Sequence, residues 1–276
     1  MNNTNINHPD RLFPADPGVR EIARVLYEEV RALPIVSPHG HTDPTWFALD
    51  ERFPDAVDLL IKPDHYVFRM LYSQGISMES LGIPTADGAP VESDSRKIWR
   101  TFAAHYYLFA GTPSRIWLDH VFNEVLGLEQ PLNEDSAEFY FDHINEKLAT
   151  PEFRPRALFD RFNIELLATT ESPLDSLEHH QTIMDSAWQG RVITTYRPDP
   201  VVDPEFEGFA ENIARFGELA GEDVSSYAGY LTAHRSQRLR FKSMGATATD
   251  HGHPTAATAD LDPSACEALY QKALSG

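Results

Sequence analysis

Leu33-Pro34-Ile35-Val36-Ser37-Pro38-His39-Gly40-His41-Thr42-Asp43-Pro44 is the stretch whose reading decides the fold of this chain. A short apolar run, bounded by prolines, delivers two histidines with one glycine between them. On an extended chain successive side chains alternate faces, so His39 and His41 point the same way. Gly40 lets backbone and ligand approach closely. Two imidazoles on one face at the end of a strand suit a divalent metal ion or an anionic sugar. Twelve histidines in 276 residues give roughly half an occurrence of His-x-His by chance, and His251-Gly252-His253 is a second copy. Position carries more weight than spacing: the pair directly follows the first strand-like run and precedes a segment rich in aromatics and charges.

Working outward, residues 1–15 read as an arm, and Asp16-Pro17 supplies an N-cap and a first-turn proline. Ile22, Val25, Leu26 and Val30 follow at helical spacing up to Pro34. The first strand is expected over Ile35–Ser37. Residues 44–150 then read as helix after helix. Asp64 caps a stretch with Val67, Met70 and Leu71; Ile98, Phe102 and Phe109 mark another; Thr112-Pro113 opens a third that stops near Gly127; Phe139, Ile144 and Leu148 mark a fourth. About a hundred residues without a convincing strand predict a helical subdomain inserted after strand one.

From Pro151 the rhythm changes. Ile164-Glu165-Leu166-Leu167-Ala168-Thr169-Thr170 is a mostly apolar run, as in a buried parallel strand. Ser172-Pro173 is expected to cap a helix through about Trp188. Val192-Ile193-Thr194-Thr195-Tyr196 forms the next strand and ends at Arg197-Pro198-Asp199. Helices are expected over about Glu205–Leu219 and from about Val224 to Met244-Gly245. Ala246-Thr247-Ala248-Thr249 reads as a weak fourth strand ending at Asp250-His251, and Asp262-Pro263 opens a last helix. The organisation is therefore 1–43 (arm, helix, first strand), 44–150 (helical insert) and 151–276 (strand–helix units two to four).

Strands alternating with helices imply a parallel sheet. All four strand ends carry polar residues: His39/His41, Thr169/Thr170, Arg197/Asp199 and Asp250/His251. In parallel α/β architectures the site lies at the carboxyl ends of the strands, so these clusters are expected to converge. No strand is followed by Gly-x-Gly-x-x-Gly or a Gly-Lys-Ser/Thr loop, which argues against a nucleotide cofactor. A net charge of −19 (23 basic against 42 acidic residues) argues against nucleic acid as a partner. Cys266 is the only cysteine, so no intramolecular disulfide is possible and an oxidising compartment is not required. No apolar run approaches membrane-spanning length, and Met1–Asn5 lacks a basic, then apolar, leader pattern. The chain reads as cytoplasmic, with no membrane partner. Four strands are fewer than the five or six of a doubly wound sheet or the eight of a barrel, so the 276 residues read as part of a longer protein.

Five stretches in this order resemble the uronate isomerases (glucuronate isomerases), an outlying branch of the amidohydrolase superfamily. They are Ser37–Pro44, Pro63–Met70, Phe159–Ile164 with Ala168–Thr170, Thr195–Asp199, and Thr249–Pro254. The resemblance covers nearly the whole chain and implies the N-terminal part, roughly 60%, of a family member. It implies a distorted (β/α)8 TIM-like barrel of the metal-dependent hydrolase type, with the first four or so strands present here and a helical insert after strand one. The implied activity interconverts aldohexuronates and ketohexuronates, D-glucuronate with D-fructuronate or D-galacturonate with D-tagaturonate. His39 and His41 match a metal-proximal pair, the ion being divalent and zinc the first choice. His65 and Tyr66 match a substrate-contacting pair, and Arg197 matches a strand-three arginine. A further histidine, an aspartate and an arginine of the family have no counterpart in these residues.

The residue types fit that chemistry. Aldose–ketose isomerisation through an enediol needs a base to move a proton between C2 and C1, and electrophilic support for the oxygens as charge develops. Arg197 can hold a carboxylate or an enediolate oxygen with its planar fork, or else serve as an ion-pair arginine beside Asp199. Tyr66 can donate to the sugar oxygens, or else pack in the insert. His65 can orient substrate, and Arg69, one turn on, is a further candidate for its carboxylate. Two other readings remain open at this stage: a metal-dependent hydrolase of the same superfamily, and a non-catalytic sugar-acid-binding module. A homo-oligomer, or association with the remaining part of the barrel, is the expected assembly.

Overall fold

Ile35–Ser37 (β1), Ile164–Glu171 (β2) and Val192–Tyr196 (β3) form a parallel sheet in the order β1-β2-β3 in a computed structural model of the chain. It describes residues 7–253 and 255–276. The first six residues of the expected arm, and Pro254 of the Thr249–Pro254 stretch, lie outside the described residues. Two compact units are present. One runs through Leu33 and resumes over Glu51–Leu158; the other comprises Pro34–Asp50 and Phe159–Gly276.

The first unit is helical. Helix α1 (Pro17–Val30) begins where Asp16 accepts a bond from the Val19 N–H, with proline in its first turn. The other helix α2 (Pro44–Leu49) belongs to the second unit and is capped in the same way by Asp43. Helices α3 (Ala56–Leu60), α4 (His65–Tyr72) and α5 (Ser95–Ala104) are capped by Asp55, Asp64 and Asp94, whose carboxylates take up otherwise unpaired first-turn N–H groups. Helices α6 (Pro113–His120) and α7 (Ala137–Leu148) complete the set expected from the aromatic spacing, and α8 (Pro155–Arg161) leads into β2. Trp99, Phe102, Tyr106, Phe109, Phe122 and Tyr140 are buried together, with edge-to-face or tilted rings. The polar ends are satisfied: Trp99 Nε1 donates to Ala137 O at 2.9 Å, and Tyr106 Oη donates to Asp119 Oδ1 at 2.8 Å. No strand interrupts this unit among the described residues.

The second unit sets α2, α9 (Glu178–Asp185), α10 (Asp199–Val202), α11 (Phe209–Ala220), α12 (Tyr227–Ser243) and α13 (Pro263–Ser275) with the sheet. Leu167 and Val192 pack with Phe47, Phe159 and Ile183, while Val201, Phe209, Ile213, Phe216, Ala233 and Tyr270 form a second core between the helices. Two expectations are corrected here. The fourth strand is only a single parallel bridge, Tyr196 to Thr249, because Ala246–Thr249 is a small-residue segment with little apolar surface to hold it on a sheet. Ser172-Pro173 does not open a helix either. The Ser172 N–H is taken by Asp175 Oδ2 at 2.7 Å in a turn, and α9 begins six residues later, after Leu177 in a left-handed conformation.

Apolar surface remains uncovered. Val19, Ile22, Val25, Leu26 and Val30 of α1 are exposed, and so are Ile35 and Val36 of β1, which pairs on one side only. Unpaired edges and open apolar faces promote association. The 276-residue polypeptide expressed by itself is therefore expected to sediment as an associated species whose size grows with concentration. A concentration-independent monomer that unfolds cooperatively would contradict this.

Buried imidazoles dock two helices on the sheet. His180 of α9 meets Thr169 Oγ1 at 2.9 Å, and His234 of α12 meets Tyr196 Oη at 2.8 Å. Burial pushes both imidazoles down to about 4 from 6.5. Between those values an unfolded chain takes up a proton at each site and the folded one does not, so stability is fully present above pH 6.5 and falls as the pH drops toward 4. The loss is on the order of 3 kcal/mol per imidazole. Urea unfolding at pH 7.5 and 5 should show it, and His234→Gln should flatten the slope; an unchanged slope in that variant would contradict the assignment.

Candidate functional site at the strand ends

Parallel pairing brings the carboxyl ends of the three strands to one edge of the sheet. Alternation then sorts their side chains: Thr170 and Thr195 stand on one face, Thr169, Glu171 and Thr194 on the other. On the Thr170 face, Thr170 Oγ1 donates to Gly40 O at 2.9 Å and lies 3.4 Å from His39 Nδ1. The hydroxyl has one proton, and Gly40 takes it. The contact with His39 Nδ1 is a long one, and the ring's other nitrogen is Nε2. That nitrogen lies 4.0 Å from Asp250 Oδ2. His41 stands beside His39, ring centroids 5.0 Å apart and perpendicular. A β-carbon at residue 40 would lie 3.4 Å from Ala168 O, an ordinary van der Waals contact, so neither space nor backbone conformation requires the glycine between the histidines.

Arg197 continues from β3 and is held by two carboxylates. Its Nε donates to Asp199 Oδ2 at 3.0 Å, and Nη1 lies 3.5 Å from Asp250 Oδ2. Asp199 is fixed in turn by the Gly252 N–H, which donates to Oδ1 at 2.9 Å. The Gly252 amide and the guanidinium hold the Asp199 carboxyl below the usual range, against the opposing effect of its burial. The single bridge to Thr249 is enough to deliver Asp250, whose N–H donates to Tyr196 O at 3.0 Å.

His39, Thr170, Arg197, Asp199 and Asp250 thus form one cluster, as the four strand ends suggested. His65, Tyr66 and Arg69 belong to the other compact unit. There they share the exposed side of α4, opposite Val67 and Leu71, with the rings of His65 and Tyr66 4.2 Å apart.

Sequence reasoning missed Glu171 and His180. They are buried on the helix-facing side of the sheet and also line a cleft of about 380 Å³, shared with His41, Asp43, Thr170 and Asp175. Thr194 Oγ1 donates to Glu171 Oε2, and His180 Nε2 lies 3.7 Å from the same oxygen. The pair is at ion-pair distance, yet burial drives the carboxyl up and the imidazole down, both away from their charged forms. A signal was present in the sequence: Glu171 shares strand parity with Leu167 and Thr169, a face that should be apolar.

The metal expectation meets an incomplete donor set. A zinc site needs three or four N, O or S donors, and no group of three or more His, Cys, Asp or Glu side chains able to hold a metal ion exists among the described residues. The two imidazoles do not complete such a site by themselves.

A sequence model described as glucuronate isomerase matches residues 18–276. The chain belongs to the glucuronate isomerase family. It is 65% identical over 269 residues to a uronate isomerase of Rhizorhabdus wittichii, covering 98% of this chain and 56% of that protein. It is 60% identical over 268 residues to one of Phenylobacterium zucineum, covering 97% and 56%. The crystal structure of glucuronate isomerase from Caulobacter crescentus superposes with a TM-score of 0.93 at 56% identity, covering 98% of this chain and 56% of that one. The uronate isomerase from Thermotoga maritima gives 0.84 at 29% identity, covering 93% and 55%. The α/β fold with a parallel sheet is thus shared with family members, and this chain spans about 56% of the length of these relatives. No helix among the described residues is long and apolar enough to cross a membrane.

Proposed function

We propose that these residues form part of a uronate isomerase that interconverts an aldohexuronate and a ketohexuronate through an enediol, D-glucuronate with D-fructuronate or D-galacturonate with D-tagaturonate. The observation that carries the reading is Arg197, oriented by two carboxylates beside His39 at the strand ends, in a chain that matches the family over residues 18–276. In this reading Asp199, gripped by the Gly252 amide, fixes the guanidinium through Nε. The Nη1 side, only loosely engaged by Asp250 at 3.5 Å, receives a substrate oxygen as charge develops between C1 and C2. His39 and His41, on the segment after β1, are the metal-proximal pair in the family's terms. Tyr66 donates to a sugar oxygen, while His65 and Arg69 orient the substrate carboxylate. The cytoplasm is the proposed location, and a homo-oligomer the proposed assembly.

The test uses the full natural polypeptide with D-glucuronate in D₂O, without nicotinamide, flavin or nucleotide. NMR should show ketose formation with exchange at the C1/C2 positions. Arg197→Met removes the fork at similar volume and should cost about 2–4 kcal/mol of transition-state stabilisation, on the order of a hundredfold or more in turnover. Lactone hydrolysis without uronate turnover would replace this reading with the hydrolase one. Near-normal turnover in the Met variant would make Arg197 structural.

A further inference from the structure

Glu171 is an expensive residue where it stands. It is 8% exposed, His180 beside it is 1% exposed, and His180 Nδ1 is buried with no hydrogen-bond partner among the described residues. An unsatisfied buried polar atom costs stability. The same side of the sheet carries Leu167 and Val192 a short way along, packed against Ile183 of α9, so an apolar residue at 171 would serve the core better. The carboxyl therefore calls for a role outside packing.

Its position supplies one. Thr170 and Glu171 are adjacent on β2, with side chains on opposite faces. Thr170 holds the loop after β1 through Gly40 O and stands against His39. The carbonyl of Glu171 accepts the Arg197 N–H at 2.9 Å. The dipeptide thus touches both sides of the candidate site, and the Glu171 side chain anchors it from behind through the Thr194 hydroxyl, with His180 3.7 Å away.

We propose that Glu171 is a positioning residue: held by the Thr194 hydroxyl on the helix-facing side of the sheet, with His180 packed beside it, it fixes the β2 end that holds His39 through Thr170 and Arg197 through its backbone. It touches no reacting atom and acts through those two residues. The proposal rests on the isomerase reading for its kinetic test, and the spectroscopic test below does not need that reading.

Glu171→Leu removes the acceptor of the Thr194 hydrogen bond, and Thr194→Val removes its donor with less risk to folding. Glu171→Gln keeps an acceptor for Thr194. In the full natural polypeptide, Glu171→Leu and Thr194→Val should each lower kcat about 30–100-fold with KM within about threefold, as small misplacements of catalytic groups do. Glu171→Gln should recover at least about a third of kcat. The double variant should lose little more than either single one, because both remove one interaction. Ring ¹⁵N resonances of His39 and His41 should move in the Leu and Val variants and stay near their original positions in the Gln variant. Asp43, Asp175, His41 and His180 surround Glu171, so these spectra are compared at one pH. Normal kcat with unmoved His39 resonances in Thr194→Val would overturn the proposal. A parent protein inactive on uronates would overturn the isomerase reading instead, and the histidine resonances would still decide the role of Glu171.

Discussion

β2 hydrogen-bonds to a parallel neighbour on each side, Ile35–Ser37 on one and Val192–Tyr196 on the other. This double pairing fixes where every polar group at the strand ends stands. Parallel strands deliver their last residues to one edge, so segments more than a hundred residues apart meet there without any local sequence signal. Thr170 reaches Gly40 across 130 positions of chain. Because side-chain direction alternates, one step along β2 separates the two sides of the sheet: Thr170 serves the candidate site and Glu171 the layer beneath it. A slip of one residue in the β2–β3 register would exchange those faces and place a carboxylate where the threonine hydroxyl now stands.

Much of this was legible where local chemistry decides structure. The ends of β1 and β3, the aspartate caps before α1, α4 and α13, and the strand-free run of helices follow from proline, aspartate and apolar spacing, and those are short-range effects. The errors fall where a helix-start or strand pattern is weaker than it looks. Ser172-Pro173 carries a helix-start pattern, yet Asp175 claims the Ser172 amide and the chain turns before α9 starts. Ala246–Thr249 has enough β character to suggest a strand, and a lone bridge is what its small side chains sustain. For the site, residue types at strand ends identified His39, Thr170, Arg197, Asp199 and Asp250. Glu171 and His180 escaped because the value of a buried carboxyl is set by a helix that only the fold brings to it.

The docking of helices on the sheet follows a repeated logic. A neutral imidazole from α9 meets a threonine on β2, and one from α12 meets a tyrosine on β3. Each contact fixes its helix directionally, as apolar packing alone does not, and each carries the cost of holding a histidine neutral. In His180 and His234 one ring nitrogen is left buried without a partner among the described residues. Specific placement near the strand ends has been obtained at the expense of stability, which is the usual balance around a site whose groups must be held in one arrangement.

The electrostatics of Arg197 bring these threads together. A chain with net charge −19 repels anions at long range, so any anion is attracted only by local positive charge. Arg197 is already flanked by Asp199 and Asp250, and with both engaged it has little net attraction to offer. The two contacts are unequal, however. Asp199 is bonded at 3.0 Å and locked from behind by Gly252, whereas Asp250 stands at 3.5 Å from Nη1 and 4.0 Å from His39 Nε2. Moving the Asp250 carboxylate aside costs two long contacts and leaves the guanidinium oriented by Asp199 and its Nη1 donor open. Asp199 thus supplies geometry and Asp250 supplies a placeholder charge. An anion bound at Nη1 would exchange with Asp250 rather than add to it, and the local net charge would change little.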